Sequence, residues 1–306
     1  MAQHAATLGR RDAVARPRPR PGRWRLLRRL VREKPLGGVG ALIVLLMLVL
    51  AVFADWIAPF PYDEMHLRDR LKPSSTRYLL GTDNMGRDLF SRIVYGARVS
   101  MLVGLGTVSL GTGLATLVGV LSAYFGGRLD TYVQRLVDAW QAFPWLVILL
   151  SIMAVIGPGL GNVILALGVL TAASGSRVIR SAVLAVREQP FIEAARAVGC
   201  GHARILLRYV LPNVVAPIIV LATVGLGAAI LIEAALSFLG FGVPPPYPSW
   251  GEMLSGSGRS YMYKAPWMAI WPGVAISLAV FGFNMLGDAL RDLLDPRLRG
   301  ETRRQP

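Results

Sequence analysis

Long apolar stretches dominate this chain of 306 residues, and six of them could each cross a bilayer as a helix of about 20 residues. They lie at residues 36–58, 99–125, 132–156, 160–178, 214–239 and 267–288. The third stretch is the least regular, because Arg135 and Asp138 stand in its first turns, where charge is costly at membrane depth. The pattern predicts an all-α integral membrane protein with six transmembrane helices.

The composition supports this prediction. Hydrophobic residues make up 54% of the chain and charged residues 17%, whereas an ordinary soluble domain has roughly 25% charged residues. The net charge of +15 is concentrated at the N-terminus and between the apolar stretches. A positive-inside bias accounts for that distribution better than nucleic-acid binding, which favours a basic stripe on a folded surface. Cys200 is the only cysteine, so no intrachain disulfide can form.

The distribution of Lys and Arg also predicts the orientation. Residues 1–35 carry eleven basic side chains and an Arg-Pro repeat, which predicts a disordered cytoplasmic arm. A signal peptide is the alternative, but the apolar run from Leu36 exceeds the 7–15 residues typical of its hydrophobic region. The segments 177–208 and 291–306 are also rich in Arg. With an even number of spans, all three lie in the cytoplasm, and the loops 59–98 and 240–266 lie outside.

The segment between the fourth and fifth spans has the pattern of a hairpin rather than of a span. Pro190 suits the first turn of a helix, and Gly199 and Gly201 suit its C-cap and a turn. Apolar residues at helical spacing in the first helix are Phe191, Ala194, Ala195 and Val198. The second helix has Ile205, Leu206, Tyr209 and Val210 on one side and Arg204 and Arg208 on the other. We predict that Pro212 ends this helix and begins the next span.

Two interpretations of this hairpin are open from periodicity. It is either an amphipathic linker at the membrane surface or a helix that docks into a groove on another protein. Its spacing favours docking, because Glu-Ala-Ala, a Gly four residues later and a Leu-Pro twelve residues after that resemble the EAA loop of ABC importer permease subunits. The matching residues are Glu193, Ala194, Ala195, Gly199, Leu211 and Pro212. The family usually has Ile two residues before the Leu, where this chain has Tyr209.

Two further segments resemble the dipeptide/oligopeptide/nickel group of these permeases, and specifically its C-type partner. The first segment contributes Gly81, Asp83, Gly86, Arg87, Asp88, Ser91, Arg92, Gly96, Arg98 and Ser100. The second contributes Pro248, Trp250, Gly251, Met253, Pro266, Trp267, Pro272, Asn284, Gly287, Asp288, Arg291, Asp292, Asp295, Pro296 and Arg297. We interpret Arg87 and Asp88 as a surface ion pair. We interpret Trp250, Trp267 and Trp271 as an interfacial aromatic belt.

The resemblance covers about residues 36–300 and implies a type I ABC importer permease fold with an EAA loop at 190–213. It implies a homologous second permease, two cytoplasmic ATP-binding subunits that contact the EAA loop, and an extracytoplasmic solute-binding protein. The implied substrate is a di- or oligopeptide, with nickel or another small solute as the alternative. The implied division of the chain is an arm at 1–35, a first helix and outer loop at 36–98, a permease core at 99–290 and a tail at 291–306.

A second Glu-Ala-Ala at Glu233 is a decoy, because no Gly and no Leu-Pro follow at the required distances. A carboxylate within the fifth span faces either a bundle interior or water. Glu233 is therefore either a residue of the substrate pathway or a structural partner of a neighbouring helix, and we favour the structural interpretation.

Other functional classes fit the sequence less well. The chain has no phosphate-binding loop of the G-x-x-x-x-G-K-[ST] type, so we expect ATP hydrolysis on partner subunits. Three His residues in the whole chain offer little for catalysis or for a metal site, and we predict no cofactor. An ion-gradient-driven secondary transporter is the main rival, although that class often shows inverted repeats and we find none. A membrane-embedded enzyme is the second rival.

Overall fold

A computed structural model describes residues 34–294, and this part of the chain is a bundle of α-helices with one isolated bridge between Thr82 and Asp88. The first six helices are α1 (Pro35–Val52), α2 (Ala54–Ile57), α3 (Leu89–Phe125), α4 (Gly127–Gln141), α5 (Trp145–Ile156) and α6 (Leu160–Arg187). The remaining helices are α7 (Pro190–Ala197), α8 (His202–Ile205), α9 (Leu211–Phe238), α10 (Trp250–Leu254), α11 (Gly256–Tyr261) and α12 (Trp267–Leu294). A 3₁₀ turn covers Leu67–Asp69, and a π-helical turn at Leu206–Val210 joins α8 to α9.

Five helical segments are long and apolar enough to cross a membrane, which confirms the predicted class. They are α1, α3, α6, the continuous segment His202–Phe238 and α12. Four of them are longer than predicted. Helix α3 begins ten residues before its predicted span, α6 continues to Arg187, the segment His202–Phe238 begins twelve residues early, and α12 continues to Leu294. Helix α1 is shorter than predicted and ends at Val52. The predicted arm falls almost wholly outside the described residues, and so does the tail beyond residue 294.

The third predicted span is not one continuous helix. Its residues form α4 and α5, which meet at a bend of 86°. Pro144 caps the start of α5, and a proline disfavours helical geometry in the residue before it, here Phe143. Apolar length alone cannot reveal such a break. The bent pair completes the predicted six if it is counted as a single span.

Close contacts between helices hold the bundle together. Helix α3 packs along α6, α9 packs on α3 and α12, and α1 packs on α12. At the crossing of α1 and α12, a Cβ on Gly40 would lie 2.7 Å from the Gly282 carbonyl oxygen. Small residues at such a crossing let two backbones approach closely, which is how helices associate in a membrane.

The bundle has two distinct ends. The hairpin end carries residues 190–201, which pack on the C-terminal turns of α3 and α6 in a core of Val120, Ala123, Tyr124, Ile179, Val183, Ile192, Ala195 and Ile205. The opposite end carries the segments 59–88 and 239–266. Helix α3 runs from one end to the other without a break.

Candidate functional site

The short helix α7 begins and ends as its sequence predicts. Pro190 occupies its first turn, where a missing N–H costs nothing. At its end the Gly199 N–H donates to the Arg196 carbonyl at 2.9 Å, and the Cys200 N–H donates to the Ala195 carbonyl at 3.0 Å. This pair of bonds is a Schellman motif, and it requires the left-handed backbone of Gly199, whose φ is +79°.

The buried face of α7 differs from the predicted face. Ile192 and Ala195 are buried, whereas Phe191 is 40% exposed and Val198 is 79% exposed. The prediction grouped Ala195 with Phe191 and Val198 and left out Ile192. The helix packs instead through the i, i+3 pair of Ile192 and Ala195, because that side faces the ends of α3 and α6. Ala194 is exposed as well.

The second arm of the hairpin follows the predicted apolar and basic sides but does not stop at Pro212. Ile205 and Val210 are buried, and Arg204 and Arg208 are exposed. The chain stays helical from residue 202 through the π-helical turn and on to residue 238. Pro212 stands in the first turn of α9, where a proline is tolerated, so the prediction that it ends a helix is wrong.

The exposed residues of the two arms are together called the hairpin face. Its residues are Phe191, Glu193, Ala194, Arg196, Val198, Arg204, Leu207 and Arg208. Glu193 makes no hydrogen bond or ion pair with any described residue. Exposed apolar side chains next to charged ones in a short helix are typical of a protein-binding site. The other side of the same hairpin is anchored in the bundle, so this face is held in a fixed position.

Glu233 lies far from the hairpin and is completely buried in α9. One carboxylate oxygen accepts hydrogen bonds from the Ser237 hydroxyl at 2.7 Å and from the Ser249 hydroxyl at 2.8 Å. Ser249 belongs to the segment before α10, so Glu233 attaches that segment to the end of α9. These contacts favour a structural role over a place on an open substrate pathway.

Buried charges at the opposite end form a second polar site, and here two interpretations from sequence are wrong. Arg87 pairs with Asp83 rather than with Asp88, with 2.6 Å between Nε and Oδ2, and the pair is buried instead of lying at the surface. Asp88 caps α3 and accepts hydrogen bonds from the Ser91 N–H and hydroxyl at 2.8 and 2.6 Å. Buried charges require such partners.

Arg92 connects this site to the segment after α9. Its side chain is 3% exposed, and its Nη2 lies 3.2 Å from Glu252 Oε2 and its Nε 3.8 Å from Asp83 Oδ2. Trp250 is only 1% exposed, and its Nε1–H donates to the Ile93 carbonyl at 3.1 Å. Trp250 is therefore a core residue, and its predicted place in an interfacial belt is wrong.

Both acidic side chains of α4 also have partners within the chain. Arg180 on α6 donates two hydrogen bonds to Asp130, at 2.7 and 2.5 Å, and Arg177 pairs with Asp138. These pairs explain how α4 carries charged side chains next to apolar helices. Among the described residues, no three His, Cys, Asp or Glu side chains lie close enough together to bind a metal ion.

A family model described as the binding-protein-dependent transport system inner membrane component matches residues 115–300, which is more than half of the chain. The chain belongs to this family. A second model, the N-terminal transmembrane domain of oligopeptide transport permease C, matches residues 22–73. This permease is therefore a multi-pass inner-membrane protein of an ABC importer, as the EAA spacing predicted.

Relatives of known name resemble this permease along nearly its whole length. The dipeptide transport system permease protein DppC of Alkalihalophilus pseudofirmus is 41% identical over 276 residues and covers 90% of each chain. The glutathione transport system permease protein GsiD of Escherichia coli O6:K15:H31 is 39% identical over 300 residues, which is 98% of this chain and 97% of GsiD.

The fold is also found in a solved structure. An inward-facing structure of the MetNI methionine ABC transporter matches with a TM-score of 0.56 over 68% of this permease and 98% of the solved chain, at 21% identity. This likeness confirms the predicted type I permease fold.

Proposed function

We propose that this permease forms half of a translocation pathway for peptides and that two cytoplasmic ATP-binding subunits drive it through the hairpin. A homologous second permease supplies the other half of the pathway. ATP hydrolysis takes place on the partner subunits, and this chain carries out no covalent chemistry.

The proposed orientation puts the hairpin end and both termini in the cytoplasm. The hairpin face and the end of α6 carry an excess of Arg, as the positive-inside rule requires of a cytoplasmic segment. The opposite end then faces outward. Its loops, ordered by buried ion pairs, offer a firm surface on which an extracytoplasmic solute-binding protein can deliver substrate.

The hairpin face is the observation that carries this proposal. Phe191 and Val198 are exposed and apolar, and Glu193 of the same hairpin is exposed without an ion-pair partner among the described residues, which suits insertion into a groove of another protein. The residues proposed for coupling are those of the EAA motif, Glu193, Ala194, Ala195, Gly199, Leu211 and Pro212. Closure of the ATPases would displace the hairpin and tilt the helices attached to it, so that the pathway alternates between inward-facing and outward-facing states.

A photo-crosslinking amino acid at Val198, in the complex assembled with its partner subunits, tests the docking. We expect a crosslink from position 198 to an ATP-binding subunit. The matched control is Val155, which is also a valine and 86% exposed but lies in α5 at the opposite end. A complex that hydrolyses ATP and takes up substrate, yet gives no such crosslink at 198, contradicts the docking. Uptake that stops with an uncoupler and continues without ATP supports the secondary transporter instead.

Peptides are the substrate class that the relatives favour. One relative is named for dipeptide transport and another for glutathione transport, and both match over most of this chain. We therefore propose di- or oligopeptides as substrates and glutathione as the second candidate. Uptake of a labelled dipeptide, with unlabelled glutathione as competitor, distinguishes the two. Uptake of neither compound contradicts both candidates and leaves another small solute, such as nickel, to be tested by the same assay.

A further inference from the structure

The hairpin makes a specific polar contact with a helix to which it is not joined in sequence. The hydroxyl of Tyr124, in the last turn of α3, lies 2.9 Å from Nδ1 of His202, the first residue of α8. Tyr124 is 4% exposed, and the two rings meet edge to face with centroids 5.7 Å apart. Four helices, α4 to α7, separate these residues along the chain, so only folding brings them together.

Tyr124 contacts the first arm of the hairpin as well. The guanidinium carbon of Arg196, in α7, lies 5.9 Å from the centroid of the Tyr124 ring. That distance is within the range of a cation–π interaction. One aromatic side chain therefore touches both arms, on either side of the turn at Gly199.

The last turn of α3 is held on another side by the end of α6. The Arg187 Nη1 donates to the Ala123 carbonyl at 2.8 Å, and thereby pairs a carbonyl that the helix itself leaves free. Ala123 and Tyr124 also belong to the core that buries Ile192 and Ala195 of the hairpin. The hairpin thus rests directly on α3 and is more than a loop between α6 and α9.

Helix α3 offers a rigid connection across the bundle. It has 37 residues without a break, which at about 1.5 Å per residue is roughly 55 Å. At its other end, Arg92 is paired with Glu252, and the Ile93 carbonyl accepts the hydrogen bond of Trp250. A displacement of its last turn would therefore reach the segment 250–254 at the opposite end.

We propose that Tyr124 and His202 form a latch that fastens the hairpin to α3, so that hairpin movement drives α3 directly. This inference rests on the proposed docking of ATPases on the hairpin face, and it adds a connection that the covalent links to α6 and α9 do not provide. Both residues are positioning residues, since they act through the helices and touch neither substrate nor ATP.

The test uses the complete transporter in proteoliposomes and measures substrate moved per ATP hydrolysed. Tyr124→Phe removes only the hydroxyl, and His202→Ala removes its partner. Each should lower the ratio by roughly three- to tenfold, the factor that one net hydrogen bond is worth, while ATP hydrolysis continues. His202→Asn keeps a polar atom near the position of Nδ1 and should restore the ratio. Tyr132→Phe is the matched control, because Tyr132 is 68% exposed on α4.

The double variant Tyr124→Phe/His202→Ala adds a sharper criterion. If the two groups act through one contact, the double variant loses no more coupling than either single variant. Normal coupling in both single variants, additive losses, or loss of assembly in Tyr124→Phe would each overturn the latch. The crosslink at Val198 distinguishes failure of the latch from failure of the docking. Latch variants should keep the crosslink to the ATP-binding subunit. Absence of the crosslink in the unaltered protein contradicts the docking.

Discussion

The two ends of the bundle differ in the burial and pairing of their charged side chains. At the opposite end, Asp83, Arg87 and Arg92 are buried and paired with one another or with Glu252. At the hairpin end, Glu193 and Arg208 are exposed and have no ion-pair partner among the described residues. The hairpin face also exposes the apolar side chain of Val198.

This difference indicates that the buried charges contribute to stability and that the exposed charges are available for recognition. Removal of one partner from a buried ion pair costs about 3–5 kcal/mol, so the charges of the opposite end hold the fold of this chain. Exposed charges contribute only about 0–1 kcal/mol to stability. The charges of the hairpin face therefore do little for this chain alone, which fits their proposed role in binding a second protein. The following predictions change each end and ask whether the effect falls on function or on stability.

Gly199→Pro should have the largest effect, and the effect should fall on function. Proline holds φ near −65°, whereas Gly199 has a φ of +79° and donates a hydrogen bond that proline cannot make. The end of α7 should unravel at a cost of about 3 kcal/mol or more, with loss of ATPase association and of uptake. Membrane insertion should remain, since the spans are untouched. Co-purification of the ATPase and uptake assays measure the two losses.

Gly201→Pro is the matched control for that variant. Gly201 has a φ of −67°, which proline adopts without strain, and its N–H donates no hydrogen bond to a described residue. This variant should keep most of the uptake. If both proline variants were equally inactive, the turn geometry at Gly199 would not be the cause, and if Gly199→Pro were fully active, the coupling role of the hairpin would be wrong.

Arg92→Met should have the largest effect on stability. It leaves Asp83 and Glu252 with fewer partners in a buried site, and we expect the free energy of unfolding to fall by about 3–5 kcal/mol. Thermal unfolding of the purified protein in detergent measures this loss. Arg98→Met is the control, because Arg98 and Asp55 form a half-exposed pair that should be worth about 0–1 kcal/mol. Equal losses for the two variants would show that burial adds nothing to the strength of the Arg92 pairs.

The sequence predicted the hairpin and most of the spans because their signals are local. The residue types at Gly199 and Pro190 indicate the backbone geometry of the turns in which they lie. The length of an apolar run directly indicates a membrane span. The break between α4 and α5 also had a local signal in Pro144, but the apolar run around it concealed the break.

The polar site at the opposite end could not be predicted in this way. Trp250 suits a membrane interface and a buried core equally well by composition, and only the fold shows that its acceptor is the Ile93 carbonyl, 157 residues away. The partner of Arg92 is also distant, since Glu252 lies 160 residues further along the chain. Contacts of this kind depend on how the helices pack, and a short sequence pattern does not predict that packing.

Glu193→Lys should weaken binding without changing stability. Glu193 is exposed and lies among several arginines, so a groove that binds the hairpin face must accommodate one carboxylate within a basic surface. Reversal of this charge should raise the Kd for the ATPase roughly five- to tenfold, or about 1–1.4 kcal/mol. Glu188→Lys, which makes the same change at an exposed position just before the hairpin, should have little effect. A Kd unchanged by Glu193→Lys would exclude Glu193 from the interface.

The smallest expected effect is a pH dependence confined to the loop at the opposite end. Asp69 accepts hydrogen bonds from Lys72 Nζ at 2.5 Å and from the Tyr78 hydroxyl at 2.7 Å, and these bonds hold the pKa of Asp69 below its usual value. A lowered pKa means that the contacts stabilise the loop above the unfolded pKa of about 3.9 and are lost as the pH falls through the folded pKa. The loop should therefore open more often in acid.

Amide hydrogen exchange of residues 67–82, corrected for the intrinsic effect of pH, measures this opening between pH 7 and pH 3. Asp69→Asn should raise exchange slightly at pH 7 and remove the part of the pH dependence that comes from position 69, since that position then has no carboxylate to titrate. Asp63→Asn is the control, because Asp63 is exposed and makes no hydrogen bond to a described residue. Exchange that does not change with pH in the unaltered protein would show that the loop is held by packing around Tyr78, which is 2% exposed, rather than by the charge of Asp69.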